Sequence, residues 1–297
     1  MKTLVLLVNF GGPRTLEEVP EFLKEMTGRE ATQAALEAVM ERYRAIGGGS
    51  PLAAITDEQA ALLAEETDRR FLIDSAYRYS RPSLEERIDE AYRSGVERLV
   101  FFVMSPYYTS RTTGGYVSAV EAYLAGLPYQ PVVTFIHGWY NEPAFIDCWA
   151  ARISAEDHGG ESFYVFSAHS LPMSLAGEPY RSQVEETVRA VAARLRLVGN
   201  YALAWQSAPR HADEPWMGPS VEAVLDGLQG LVSRVVEVPI GFVSDHLETR
   251  YDMDIIHRQH ALALGLQFSR VPSLNTYKPF IAALAVILEK SLGEGYG

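Results

Sequence analysis

Residues 162–172 read SFYVFSAHSLP, an apolar run that stops at a histidine and then a proline. So short a run, rich in aromatic and β-branched residues and closed by proline, has the signature of a β-strand. It is continuously apolar rather than alternating, as expected of a strand covered on both faces. His169 therefore stands at the carboxyl tip of a buried strand. There it has three possible roles: a hydrogen-bonded structural residue, a base or a metal ligand.

Runs of the same kind lie on either side: TLVLLVN (3–9), RLVFFVM (98–104), PVVTFIH (131–137), YALAWQS (201–207) and RVVEVPIGF (234–242). Between them, SLEERIDEAYRSG, EETVRAVAARLRL and SDHLETRYDMDIIHRQHALALG space their apolar residues as helices with one buried face do. Alternating β and α elements imply parallel sheets flanked by helices. The predicted fold class is α/β, two Rossmann-like domains with parallel sheets. The Gly and Pro of GWYNEP put the break near 139–143, dividing a domain over 1–140 from one over 141–275. A last helix over about 276–293 is expected to return to the first domain. Ligands of open parallel sheets bind beyond the carboxyl ends of the strands. That rule gathers NFGGP, SPYYTSRTTGG, HGWY, SAHSLP, WQS and GFVSDHLE at one cleft between the domains.

Bulk properties exclude several classes. The chain has 297 residues, enough for about two ordinary domains. No apolar stretch approaches the roughly 20 residues that cross a bilayer, so stable membrane insertion is not expected. MKTLVLLVNFGGP carries one lysine and no small-residue cleavage site, and reads as a first strand rather than a signal peptide; a cytoplasmic protein is expected. Lysine and arginine number 26 against 38 acidic residues, a net charge of −12 that argues against nucleic acid as partner. The single cysteine, Cys148, excludes an internal disulfide, a thiolate zinc cage and an iron–sulfur cluster held by this chain's own cysteines. Metal chemistry must use nitrogen and oxygen ligands.

Neither NFGGP nor AIGGGSP is a GxGxxG fingerprint, and no GxxxxGK[ST] loop is present, so the glycines read as tight turns. Ser167 and Ser170 beside His169 lack the GxSxG elbow of a serine hydrolase. Asp245, Glu248 and Asp252, spaced i, i+3, i+7, would share one face of a helix. Asp245 and Glu248 also fit a D-x-x-E capping box, which leaves Asp252 and the neighbouring His246 unexplained. A face of histidine and carboxylates opposite His169 suits a divalent metal in transit or proton removal. The aromatics Tyr107, Tyr108, Trp139, Tyr140 and Trp216 fall at or beyond predicted strand ends, which suits a flat apolar ligand.

Ordered motifs along nearly the whole chain resemble those of the ferrochelatase family: NFGGPRTLEEVPEFL, RYRAIGGGSPL, YRYSRPSLEE, SPYYTSRTTG, SAHSLPMS, GEPY, WQS, PWMGP, VPIGFVSDHLETRYDMDI and PSLN. The resemblance implies two Rossmann-like domains with a porphyrin cleft between them. It makes His169 the active-site histidine and Glu248 its partner carboxylate, with Asp252 continuing the acidic face that handles metal or protons. It also puts Arg78, Tyr108 and Trp139 near the metal side of the macrocycle, Trp216 in the PW.GP loop, and Arg42, Tyr43 and Ser50 near the porphyrin rim. Tyr140, beside Trp139, joins the substrate-binding set.

The implied reaction takes porphyrin and Fe²⁺ as substrates, with no organic cofactor and no iron–sulfur cluster, in a monomer. At the position after VN, where other members carry tyrosine or methionine, this chain has Phe10, which stacks but does not ligate iron. SAHSLPMS, RTTGG and PSLN look closer to members that use protoporphyrin IX, whereas WYNEP and the short chain look closer to those that use coproporphyrin III; protoporphyrin IX is the expected substrate. The alternatives are coproporphyrin III, a cobalt or nickel tetrapyrrole chelatase, and a non-catalytic haem-binding protein.

Overall fold

The structure, a computed structural model, describes residues 1–155, 162–209 and 212–293. They form two units, one of Met1–Trp139 with the segment from Asn275 onward, the other of Tyr140–Leu274. In the first unit β1 (Thr3–Asn9), β2 (Leu72–Tyr77), β3 (Arg98–Val103) and β4 (Val132–Ile136) make a parallel sheet in the order β2-β1-β3-β4. Around it run α1 (Val19–Thr27), α2 (Gln33–Ala45), α3 (Leu52–Glu66), α4 (Leu84–Arg93) and α5 (Thr113–Ala125). Local sequence explains α4 in full. Ser83 caps it, its hydroxyl accepting from Glu86 N while the Glu86 carboxylate accepts from Ser83 N. Its buried stripe of Leu84, Ile88 and Ala91 then joins Leu6, Val8 and Phe101 in the core.

The second unit holds β5 (Phe163–His169), β6 (Tyr201–Gln206), β7 (Arg234–Val238) and β8 (Gln267–Arg270), parallel and in the order β6-β5-β7-β8. Its helices are α6 (Pro143–Ser154), α7 (Tyr180–Leu195), α8 (Val221–Leu228) and α9 (Arg258–Ala263), with a π-helix, Glu248–His257, running directly into α9. In each unit the first strand lies between the second and the third, with the fourth outermost, so the two share one strand order. Finally α10 (Lys278–Leu292) belongs to the first unit, where it packs on α3 and its Glu289 pairs with Arg70.

Two strands were not expected from sequence, β2 and β8, and both are sheet edges. Their polarity hid them. LIDSAY carries Asp74 and Ser75, whose side chains are occupied by Arg87 and Asp57, and QFSR carries Arg270, which pairs with Asp254. The strand expected over 234–242 stops at Val238, because Pro239 has no N–H for the ladder and begins a turn closed by Phe242 N on Pro239 O. Among the described residues no helix is long and apolar enough to cross a membrane.

Candidate active site

The tip of β5 is built by its neighbours. Gln206 on β6 lies in register with His169, and Ser170 N donates to Gln206 O at 2.8 Å. On the other side the chain leaving β7 crosses the strand end, with Gly241 N donating to Ser167 O at 3.1 Å. A Cβ at Gly241 would lie 2.7 Å from Ala168 Cα, so only glycine allows this crossing. Tyr180 from the GEPY segment donates to His169 O at 3.0 Å, and the rings of Trp216 and His169 lie 6.2 Å apart. His169 is thus fixed along its backbone while its side chain stays 31% exposed.

Its imidazole is held at both nitrogens. Nδ1 bonds the Ser170 carbonyl, and Nε2 lies 3.3 Å from Glu248 Oε1. Burial alone would push its pKa down, but the Glu248 charge, the two hydrogen bonds and the charge of Asp252 raise it to about 9. At neutral pH the ring therefore carries both protons and donates from both nitrogens. Burial would push Glu248 the other way, yet His169 and His246 hold its carboxyl well below the usual range. Its second oxygen, Oε2, lies 3.3 Å from His246 Nε2, so one carboxylate bridges two imidazoles.

These side chains come from an element unlike the α-helix expected from Ser244. The π-helix begins at Glu248, and its i→i+5 bonding widens each turn, so residues four apart lie nearly in line. Thr249, Met253 and His257 form the buried line; Glu248 and Asp252 form the line beside it. The capping-box reading of Asp245 and Glu248 is corrected here, since no side chain caps this helix. Asp245, 2% exposed, instead accepts from Arg250 at 2.8 Å, Arg270 at 3.2 Å and Ser273 at 2.8 Å. Arg270 also forks onto both oxygens of Asp254, at 2.6 and 2.9 Å. Farther along, His257 Nδ1 sits 3.0 Å from Glu237 on β7, both buried. The helix is thus fastened by charge at both ends. Asp252 does not meet His169 directly; its Oδ2 accepts from Ser207 Oγ at 2.5 Å. Among the described residues no three His, Cys, Asp or Glu side chains are grouped to hold a metal ion.

The remaining sequence candidates divide between the units. In the first, Phe10 packs on Tyr79 and Phe22, at ring distances of 4.7 and 6.3 Å, and Arg78 lies over Tyr79 with its N donating to Asn9 O. Ser50 N donates to Pro13 O, which brings Ser50 to the same loop. Arg42, half-buried, and Tyr43, buried, stand on α2. Tyr108 lies beside His137, with rings 6.0 Å apart. Trp139 is 3% exposed, between Phe102 and Phe280, and its indole donates to Val103 O, which makes it a core residue of this unit. In the second unit Tyr140 is half-buried and its carbonyl accepts from Thr187. Ser167 is fully buried, Ser170 Oγ donates to Met217 O, and neither presents a nucleophile. Burial pushes the Cys148 thiol up to about 12, which removes it from the chemistry.

The ferrochelatase family model matches residues 2–292. The chain belongs to the ferrochelatase family. These enzymes are lyases that insert a metal ion into a porphyrin. A ferrochelatase of Deinococcus radiodurans is 34% identical, the match covering 98% of this chain and 96% of the relative. A coproporphyrin III ferrochelatase of Anoxybacillus flavithermus is also 34% identical, over 96% and 94% of the two chains. Among solved structures, SirB from Bacillus subtilis with Fe³⁺ superposes with a TM-score of 0.59 at 11% identity, covering 98% of this chain and 96% of that one. CbiX, from siroheme biosynthesis in denitrifying bacteria, superposes at 0.51 and 12% identity, over the whole of both chains. At such identities the likeness concerns the fold alone.

The polar cluster of the second unit sets two imidazoles against one carboxylate, groups able to hold and pass protons. Sequence reading singled out His169, Glu248 and Asp252 but gave His246 no separate part and passed over Ser207 and Gln206. The signal for the last two was available in WQS, polar residues at a strand's carboxyl tip.

Proposed function

We propose that the chain inserts Fe²⁺ into protoporphyrin IX, with His169 and Glu248 as the proton- and metal-handling pair and Asp252 as the carboxylate that leads metal to them. The observation that carries this reading is the bridge His169–Glu248–His246, in which one half-buried anion holds two imidazoles at 3.3 Å each. Insertion releases two protons: the porphyrin loses both pyrrole N–H protons, and its four nitrogens take the metal. With its pKa raised to about 9, His169 keeps its proton at neutral pH, and that proton must pass on before Nε2 accepts another or touches the metal. Glu248 is the anion within reach. An open set of imidazole and carboxylate, rather than a closed cage, lets the metal leave for the macrocycle.

Phe10, Arg42, Ser50, Arg78, Tyr108, Tyr140 and Trp216 are proposed to face the macrocycle or its rim. Tyr43 and Trp139 are buried, and for them only a supporting part within their own unit is proposed. Phe10 stacks on the ring but offers no oxygen to iron. Fe²⁺ is a substrate, and the reaction is proposed to need no organic cofactor, no iron–sulfur cluster and no second subunit. Coproporphyrin III is the second reading, favoured by relatives carrying that name at the same identity as those called simply ferrochelatase. Anaerobic steady-state assay with Fe²⁺ and each porphyrin tests both. A higher kcat/KM for protoporphyrin IX is expected; a clearly higher value for coproporphyrin III replaces the substrate, and no insertion into either rejects the activity.

A further inference from the structure

We propose that Ser207 is a positioning residue for Asp252, fixing the carboxylate that delivers metal; this rests on the reading of Asp252 given above. Ser207 follows β6 directly and has φ = 62°, in the left-handed region that glycine adopts without steric cost and serine does not. Other non-glycine residues with positive φ have local reasons. Arg196 closes α7, Asp68 and Arg69 follow the end of α3, and Asn275 is of a residue type that tolerates this region. Ser207 ends no helix. What serine gains there over glycine is its hydroxyl, which donates to Asp252 Oδ2 at 2.5 Å.

The hydroxyl is itself oriented from behind. Gln206 Nε2 lies 3.5 Å from Ser207 Oγ, on a side chain 2% exposed, so an amide N–H faces the serine oxygen while the serine proton goes to the carboxylate. Gln206 also pairs with His169 across the sheet. The strained residue therefore ties Asp252, on the π-helix, to the strand ends that carry His169. Metal arriving at Asp252 meets a carboxylate already ordered. Without the bond, that ordering must accompany metal capture and weaken it.

The test compares Ser207→Gly, which removes the donor and relaxes the backbone, with Ser207→Asn, which keeps an N–H donor on a residue that tolerates the left-handed region. Asp252→Asn is run in parallel. Melting temperature, the KM values for Fe²⁺ and for porphyrin, and Zn²⁺ binding to the porphyrin-free protein by calorimetry are measured for each. Ser207→Gly is expected to melt no lower than wild type, while its KM for Fe²⁺ and its Zn²⁺ dissociation constant rise roughly tenfold, the lower end for outer-shell partners of a metal ligand. Its KM for porphyrin stays unchanged, and Ser207→Asn recovers most of the loss. An Fe²⁺ KM raised in Asp252→Asn but unchanged in Ser207→Gly overturns the proposal alone. A loss in Ser207→Gly that follows a fall in melting temperature, or that raises both KM values together, does the same. An Fe²⁺ KM unchanged in Asp252→Asn removes the reading of Asp252, and this proposal with it.

Discussion

At His169 the contest between burial and charge decides which proton is available. Burial lowers the pKa and Glu248 raises it, and the charge wins, leaving it at about 9. His169→Ala is expected to abolish insertion while leaving the fold intact, since the backbone contacts of residue 169 are made by Tyr180 and the neighbouring strand. Activity lost together with the native circular dichroism spectrum would contradict this. Glu248→Gln removes the main source of the shift. His169 should then titrate well below 9 by histidine NMR, because burial is no longer opposed by that charge, and the insertion rate should fall by at least about 10², the scale of general acid–base catalysis. The pH dependence of stability follows in sign. A histidine raised from 6.5 to about 9 stabilises the fold fully below 6.5 and loses that contribution as pH rises through 9. A carboxyl depressed from 4.5 stabilises above that value and loses the contribution on acidification. Denaturant titrations should therefore separate wild type from Glu248→Gln most between about pH 5 and 6.5, and least above pH 9.

The π-helix is held to its sheet by buried charge, and this is the element where sequence reading went furthest astray. D-x-x-E at 245–248 has the letters of a capping box, but Asp245 turns to Arg250, Arg270 and Ser273 instead. Two of these partners lie at the edge strand β8 and beyond, too distant in sequence for a local pattern to show. Removing one member of a buried pair strands its partner. His257→Leu leaves Glu237 buried and should cost about 3–5 kcal/mol in chemical unfolding, whereas adding Glu237→Val should recover most of it, because an apolar pair of similar volume replaces both charges. A double variant no more stable than His257→Leu would reject this account. Strands showed the opposite behaviour. The inner strands β1, β3, β5 and β7 were legible because burial on both faces demands unbroken apolar runs, while the edges β2 and β8 need no such run.

At the scale of the molecule the first unit is discontinuous, and α10 completes it. Phe280, Ile281, Leu284, Ile287 and Leu288 on that helix are at most 3% exposed. At about 1.5–3 kcal/mol for each large side chain buried, their loss is comparable to the roughly 5–15 kcal/mol that holds a domain folded. A chain ended after Leu274 should therefore lose the native exchange protection of β1 and β3 while β5 and β7 keep theirs. Equal protection in both sheets would show α10 to be dispensable. The sequence by itself determined the covered strands, the α/β class and the family, because unbroken apolar runs and ordered motifs are local and survive without knowledge of what they touch. It also singled out His169, at the tip of one such run. Only tertiary structure decided that Glu248 bridges two histidines, that Asp245 is clamped by distant arginines, that Trp139 is core, and that Ser207 holds Asp252. Each depends on a side chain meeting a partner on another element, and the direction of a carboxylate is set by where those elements pack.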